Sequence, residues 1–417
     1  MKKYYYKDLD APGLEALCIR PAIDFTAVEP VVAAVLEDVR LNGDLSLKKY
    51  TKKFDGIDLN EIVIKSGAAI SAELEEAFMV ASSNIEKFHK AQRIARIEVE
   101  TMPGVKCFME SRPIEKVGIY VPGGSAPLPS TLLMLAIPAR IAGCKEIVVC
   151  SPPPVAESVL FVAKLCGIKK VYQIGGAQAI AAMGYGTESV PKVDKILGPG
   201  NQYVTMAKML LAGKGVAIDM PAGPTEVLVI ADDNARANFV AADLLSQAEH
   251  GPDSQVVLVC TSVSKCDEVL LELEKQIKGL ARKDIAIQAL KKSFSLIVED
   301  LDQAITFSNQ YAPEHLILNL IEKSLRSVSS IKNAGSVFIG PYSCEAAGDY
   351  ASGTNHSLPT YGFAKSYSGV CLDSFMKKIS FQKISKKGVA NLAKTVAAMA
   401  EAEGLTAHKN AILIRTK

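Results

Sequence analysis

The feature that most constrains this chain is an alternation that begins at Lys116. Short apolar runs at VGIYV (117–121), EIVVC (146–150), VYQI (171–174), KIL (195–197), VAI (216–218) and EVLVI (226–230) predict strands. Segments with helical spacing lie between several of them, at Ala156–Leu165, Ala177–Met183 and Tyr203–Leu211. After Asp232 the rhythm resumes, with a helix over Asn234–Glu249 and strands at QVVLVC (255–260), SLIV (295–298), HLIL (315–318) and SVFI (336–339). Strand–helix–strand repetition implies parallel pairing, with helices covering the sheet. Two α/β units follow from this pattern; no repeat between them is visible that would establish a duplication.

The flanks read differently. Apolar positions recur at helical spacing over Glu29–Leu41 and Ser71–Ala95, and Gly43-Asp44 breaks the chain after the first. Lys386–Glu403 is an alanine-rich helix, with Gly404 placed to end it. Such a terminal helix can dock on its own subunit or on a second one. The chain of 417 residues is too long for one ordinary core.

Charge excludes several partner classes. Lys plus Arg number 47 against 45 Asp plus Glu, a formal +2. That balance argues against nucleic acid and against an anionic membrane. The opening MKKYYYKDLD has lysines but no apolar segment behind them, and no run of about eighteen apolar residues occurs. Nine cysteines are scattered without a C-x-x-C pair, as expected of reduced thiols in a cytoplasm. Small molecules are the partners left.

Histidine is scarce, so the placement of five residues is informative. His89, in IEKFHKAQ, reads as part of a solvated helix face. Gln247 and His250, in SQAEHG, are three apart and share a helix face before Gly251-Pro252 ends it. Glu314 and His315, in APEHLIL, open a strand, where a carboxylate and an imidazole can move protons near neutral pH. Asp349 and His356 lie in the polar stretch CEAAGDYASGTNHSLPTYG, and Glu403 and His408 in EAEGLTAHKN. Taken singly, each has an ordinary explanation, such as a helix-end histidine held by the dipole or a solvated loop. Together, Gln247, His250, Asp349 and His408 make a nitrogen and oxygen set that suits zinc or another divalent ion. No short-range zinc signature such as H-E-x-x-H is present.

Glycine-rich segments follow predicted strands at VPGGSAP (121–127), IGGAQA (174–179) and GPGNQY (198–203). Ligands collect at such strand ends in parallel sheets, where backbone N–H groups can face phosphates. None matches G-x-G-x-x-G.

The run IDMPAGPTEVLVIADDNARANFVAADLLSQAEHG (218–251) resembles the signature of histidinol dehydrogenases. VGIYVPGG, IGGAQAIAA, ILGPGNQYV, APEHL, AGDYASGTNHSLPTYG and EGLTAHKNA also match, in family order. The resemblance covers nearly the whole chain and is weakest before about residue 110. It implies an α/β fold with two Rossmann-like, incomplete, parallel-sheet domains and helical N-terminal and C-terminal extensions. The divisions expected are a helical region 1–115 packing on the second α/β unit, a first α/β domain 116–225, a second 226–370 carrying most metal and catalytic residues, and a tail 371–417.

The resemblance further implies oxidation of L-histidinol to L-histidine through the aldehyde, in two successive NAD-dependent hydride transfers. Zinc would be held by Gln247, His250, Asp349 and His408. Glu314 and His315 would be the acid–base pair. Thr225, His356 and Glu403 would join the zinc ligands and His315 around the substrate, and Tyr120, Gln178 and Asn201 would hold NAD. The family's hydroxyl in AGP-S/T-E is a threonine here. A cytoplasmic homodimer is implied, with Glu403 and His408 entering the partner's site. Three alternatives stay open: a thiohemiacetal route through Cys344, a zinc lyase or hydrolase without NAD, and a silent ligand-binding relative.

Overall fold

The structure is a computed structural model that describes residues 1–20, 25–123, 127–220, 223–321 and 328–417. Part of the VPGGSAP segment, at 124–126, lies outside them. Two six-stranded sheets carry the fold. The first contains β2 (Val63–Lys65), β5 (Lys116–Tyr120), β6 (Glu146–Ser151), β7 (Lys170–Gln173), β8 (Lys195–Leu197) and β9 (Ala217–Ile218), in the order β2-β7-β6-β5-β8-β9. The second contains β1 (Lys2–Tyr5), β10 (Glu226–Ala231), β11 (Gln255–Cys260), β12 (Phe294–Ile297), β13 (His315–Asn319) and β14 (Ser336–Ile339), in the order β1-β12-β11-β10-β13-β14. All pairings are parallel except that of β2, which runs antiparallel to β7. Every strand expected from 117 to 339 is present to within one residue at its ends.

The two units share a topology that the sequence does not display. Counted from each unit's own first strand, the parallel order is third, second, first, fourth, fifth in both. The central strands explain their continuous apolar runs. In β10, Val227, Val229 and Ala231 enter one core while Leu228 and Ile230 enter the core on the opposite face. A parallel strand sandwiched between helix layers has no solvent face to mark with polar residues.

The N-terminal region packs on both units. β1 extends the second sheet beside β12, helix Ala11–Leu17 lies against helix Leu301–Tyr311, and helix Ala72–Ala91 touches the 351–355 stretch through Asn84 and His89. Helix Phe25–Asp55 instead crosses Gly176–Tyr185 and Gln202–Ala212 of the first unit, and helix Ala72–Ala91 packs on Pro129–Ala142. Gly43 interrupts the long helix with φ of 50°. The alternating apolar residues on these helices specify burial without specifying which sheet buries them.

The sequence reading also missed a third sheet. β3 (Ile97–Met102), β4 (Val105–Pro113) and β15 (Met376–Ile384) pair antiparallel in the order β15-β4-β3. Their burial is mostly partial or absent, so the apolar alternation that announces a strand is weak. Helices Lys386–Ala402 and Thr406–Leu413 follow, with Gly404 between them at φ of 69°. Among the described residues, no helix is long and apolar enough to cross a membrane.

Candidate active site

The parallel register of β10 and β13 sets Val227 opposite His315. The backbone of Glu226 therefore lies beside the Glu314–His315 pair. Its N–H donates to Glu314 Oε2 at 2.9 Å, and its carbonyl is 3.2 Å from His315 Nδ1. The Thr225 hydroxyl donates to the same Glu314 oxygen at 2.5 Å. A carbonyl can only accept, so His315 carries its proton on Nδ1, and Nε2 is left as a bare lone pair. That buried Nε2 has no hydrogen-bond partner among the described residues, and Asp349 Oδ1 is 3.7 Å away. Burial pushes the His315 pKa down to about 3, which keeps the ring neutral. Burial pushes Glu314 well above the carboxylate range, while the Thr225 and Glu226 donors pull it back.

Metal-ligating groups gather beside this pair. Helix Ala237–Ala248 buries Gln247 in its last turn, and His250 follows in the turn before Gly251-Pro252. Helix Glu345–Tyr350 brings Glu345 and Asp349 to the same spot. Donor atoms of His250, Glu345 and Asp349 all lie within 4.8 Å of one another. The Gln247 side chain bridges Thr225 and Glu345: its nitrogen donates to the Thr225 hydroxyl and its oxygen faces Glu345, or, turned over, the nitrogen donates to Glu345 and the oxygen takes the Thr225 proton in place of Glu314. Burial pushes Asp349 up to about 7 and Glu345 well above the carboxylate range, the latter also through Asp349 and Glu314. Among the described residues, no Lys or Arg forms an ion pair with these three carboxyls. Buried acids without cationic partners, ringed by imidazole, fit a divalent cation.

Glu345 is the site residue that the sequence reading overlooked. It stands four residues before Asp349, a spacing that shares one helix face, so the signal existed had the polar stretch been read as helical.

His356 is half-buried and committed to its surroundings. Its Nδ1 donates to the Asp349 carbonyl at 2.9 Å, and Nε2 is 3.3 Å from the Thr131 hydroxyl. Both partners fix the loop on which it sits. His89 corrects the solvated-face expectation. It is fully buried, bonded through Nδ1 to the Ile85 carbonyl at 2.8 Å, with Nε2 facing the Asn355 amide at 3.4 Å. Lysines on both sides hid a position that points inward.

A cavity of about 170 Å³ is lined by His250, Glu314, His315, Glu345, Asp349 and His356, among others. Lys208 and Asp219, a buried ion pair missed in the sequence, also line it; Lys208 Nζ donates to the Gly198 carbonyl at 2.9 Å. A neighbouring cleft of about 560 Å³ runs from Asn201 and Tyr203 to Thr225 and His250.

Tyr120, Gln178 and Asn201 all stand at strand C-terminal ends of the first unit. Tyr120 ends β5 and its hydroxyl accepts from the Gly176 N–H at 3.1 Å. Gln178 lies in the first turn of Gly176–Tyr185, buried, its Oε1 without a hydrogen-bond partner among the described residues. Asn201 caps Gln202–Ala212, accepting from Tyr203 and Val204 N–H, which commits its oxygen, and the residue lines the neighbouring cleft. Gly198, at φ of 126°, passes so close that a Cβ would stand 2.1 Å from the Tyr120 carbonyl.

Glu403 and His408 are not brought to this site within the single chain. Both are exposed at the end of Lys386–Ala402 and on Thr406–Leu413, and neither lines the cavity. Cys344 is exposed and does not line it either.

A family model described as histidinol dehydrogenase matches residues 18–416. A histidinol dehydrogenase of Vibrio parahaemolyticus is 53% identical, over 100% of this chain and 99% of the relative. A chloroplastic histidinol dehydrogenase of Arabidopsis thaliana is 51% identical, over 100% of this chain and 92% of the relative. The crystal structure of histidinol dehydrogenase from Elizabethkingia anophelis superposes with a TM-score of 0.96 at 50% identity, covering 100% of this chain and 98% of that one. The likeness extends through both sheets and both extensions, and the chain belongs to the histidinol dehydrogenase family.

Proposed function

We propose that this chain oxidises L-histidinol to L-histidine through the aldehyde, with NAD as hydride acceptor in two successive steps and zinc at the substrate site. The observation that carries the reading is the unpartnered, neutral Nε2 of His315 beside the His250, Glu345 and Asp349 cluster. Gln247, His250 and Asp349 would hold the metal, with His408 supplied by a second copy and Glu345 held close through Gln247. Zinc, if bound there, would anchor the substrate through its amine and imidazole nitrogens, leaving the proton transfers to the protein's own side chains.

His315 Nε2 takes the alcohol proton as the carbon gives up hydride, and a nearby Asp349 carboxylate stabilises the imidazolium so formed. Water then adds to the aldehyde carbon, and Glu314 removes a proton from it. A carboxylate whose pKa is raised is the stronger base once ionised, and Thr225 and Glu226 hold Glu314 in place for that task. The hydrate loses the second hydride and becomes the carboxylate. A site closed over the bound substrate would keep the aldehyde from escaping between steps. NAD would supply the hydride-accepting ring, bound through Tyr120, Gln178 and Asn201. Thr225, His356 and Glu403 of a second copy would complete the substrate contacts in a cytoplasmic homodimer.

Purified protein given L-histidinol and NAD is expected to form two NADH per histidine. Absence of NADH with zinc present removes the dehydrogenase reading. One NADH with accumulated aldehyde removes the second oxidation.

A further inference from the structure

Resting on the assignment of Glu314 and His315 as the acid–base pair, we infer that Arg20 is a positioning residue for that pair, clamping the two strand entrances that present it. Arg20 lies outside both α/β units, in the segment after helix Ala11–Leu17. Its guanidinium nevertheless reaches the carboxylate of Glu226 at the entrance of β10 and is almost fully buried. It meets Glu226 as a two-pronged fork, Nε to Oε2 at 2.8 Å and Nη2 to Oε1 at 2.8 Å. Nη2 also donates to the Tyr311 carbonyl at 2.6 Å, and the guanidinium stacks 3.5 Å from the centre of the Tyr311 ring. Nη1 ties back to the Cys18 carbonyl at 2.8 Å.

The Glu226 and Tyr311 contacts lead directly to the residues of the proposed chemistry. Glu226 is the residue whose N–H holds Glu314 and whose carbonyl fixes the His315 tautomer. Tyr311 ends the helix that turns into Glu314–His315. The turn passes through Ala312 at φ of 53°, a left-handed backbone rare for residues other than glycine. Its geometry is held by the Tyr311 carbonyl that Arg20 engages and by the Tyr311 hydroxyl, which donates to Gln255 Oε1 at 2.8 Å. One planar, permanently charged side chain thus joins the entrance of β10 to the turn before β13. Lysine has the charge but not the fork, so it could hold one side at a time.

The test compares Arg20→Lys, Arg20→Ala and His315→Asn with the native chain, all zinc-loaded, by steady-state oxidation of L-histidinol per active site. Zinc content and thermal unfolding are measured in parallel. Expected for Arg20→Ala is a fall in kcat of about thirtyfold, with KM for histidinol and NAD within threefold, zinc content unchanged, and partial recovery on adding methylguanidinium. Expected for Arg20→Lys is a fall of about fivefold with the same KM pattern. Native kcat in Arg20→Lys and Arg20→Ala overturns the clamp. So does a loss of activity that matches the loss of folded protein and does not respond to methylguanidinium. Should Arg20→Ala not fold, the kcat-against-KM pattern of Arg20→Lys decides. An active His315→Asn enzyme sinks the acid–base assignment itself; an inactive one beside a normal Arg20→Lys sinks only the clamp.

Discussion

The two α/β units are built on one strand order and present opposite edges to the site. The first offers the C-terminal ends of its strands: Tyr120 after β5, Gln178 after β7, and Gly198 and Asn201 after β8. The second offers the N-terminal ends of its strands: Thr225 before β10, His250 before β11, and Glu314 and His315 at the start of β13. In a parallel sheet, helices begin where strands end. The first unit's edge therefore carries helix N-termini, which favour anions such as phosphate. The second unit's edge carries helix C-termini, with Gln247 in the last turn of Ala237–Ala248, which favour cations. The same architecture yields two electrostatic environments according to which edge is used. A dinucleotide on one and a metal with proton-transfer groups on the other match those environments.

If the division is real, damage on one edge should leave the other's function measurable. The largest effect is expected from His315→Asn, which removes the bare Nε2. Its kcat should fall by about 10²–10⁴-fold, with NAD still bound normally in a fluorescence titration. Lost NAD affinity would show that the edges are not separate. Next comes His250→Asn, which should lose zinc on dialysis and most activity, on the order of a hundredfold. Stoichiometric zinc and full turnover in the purified variant would remove His250 from the metal site.

Glu314→Gln sharpens the comparison within the second edge. Oxidation of the aldehyde should fall about tenfold more than oxidation of the alcohol, since only the former needs activated water. Equal losses on both substrates would take that role from Glu314. On the opposite edge, Gln178→Ala should raise KM for NAD about tenfold, some 1.4 kcal/mol, while KM for histidinol stays within twofold. A reversed pattern would move the dinucleotide elsewhere. Cys344→Ala should leave aldehyde oxidation within twofold of native; a large loss would restore the thiohemiacetal route.

Local sequence carried much of the fold because strands buried on both faces are written as apolar runs and their crossovers as 3.6-residue periods. EVLVI and HLIL could be read as strands without knowing that they are neighbours. Gly43 and Gly404 marked real breaks for a reason internal to the backbone, their left-handed φ. The third sheet was invisible because β3 and β15 are largely exposed, and β15 reaches β4 from far along the chain. The candidate site was legible in composition: scarce histidines beside acids and amides. Glu345 stayed hidden in a stretch read as loop, and His89 among lysines.

By itself, the sequence determined the family, the strand and helix pattern from 117 to 339, and the residue types available for chemistry, since all of these are local or are carried by matched motifs. Only the tertiary structure decided which edge each group occupies, that His315 keeps its proton on Nδ1, and that Arg20 lies beneath Glu226. The reason is physical. A tautomer, a buried ion pair and a depressed imidazole pKa are properties of neighbours brought together from distant positions, and a linear pattern holds no record of distance.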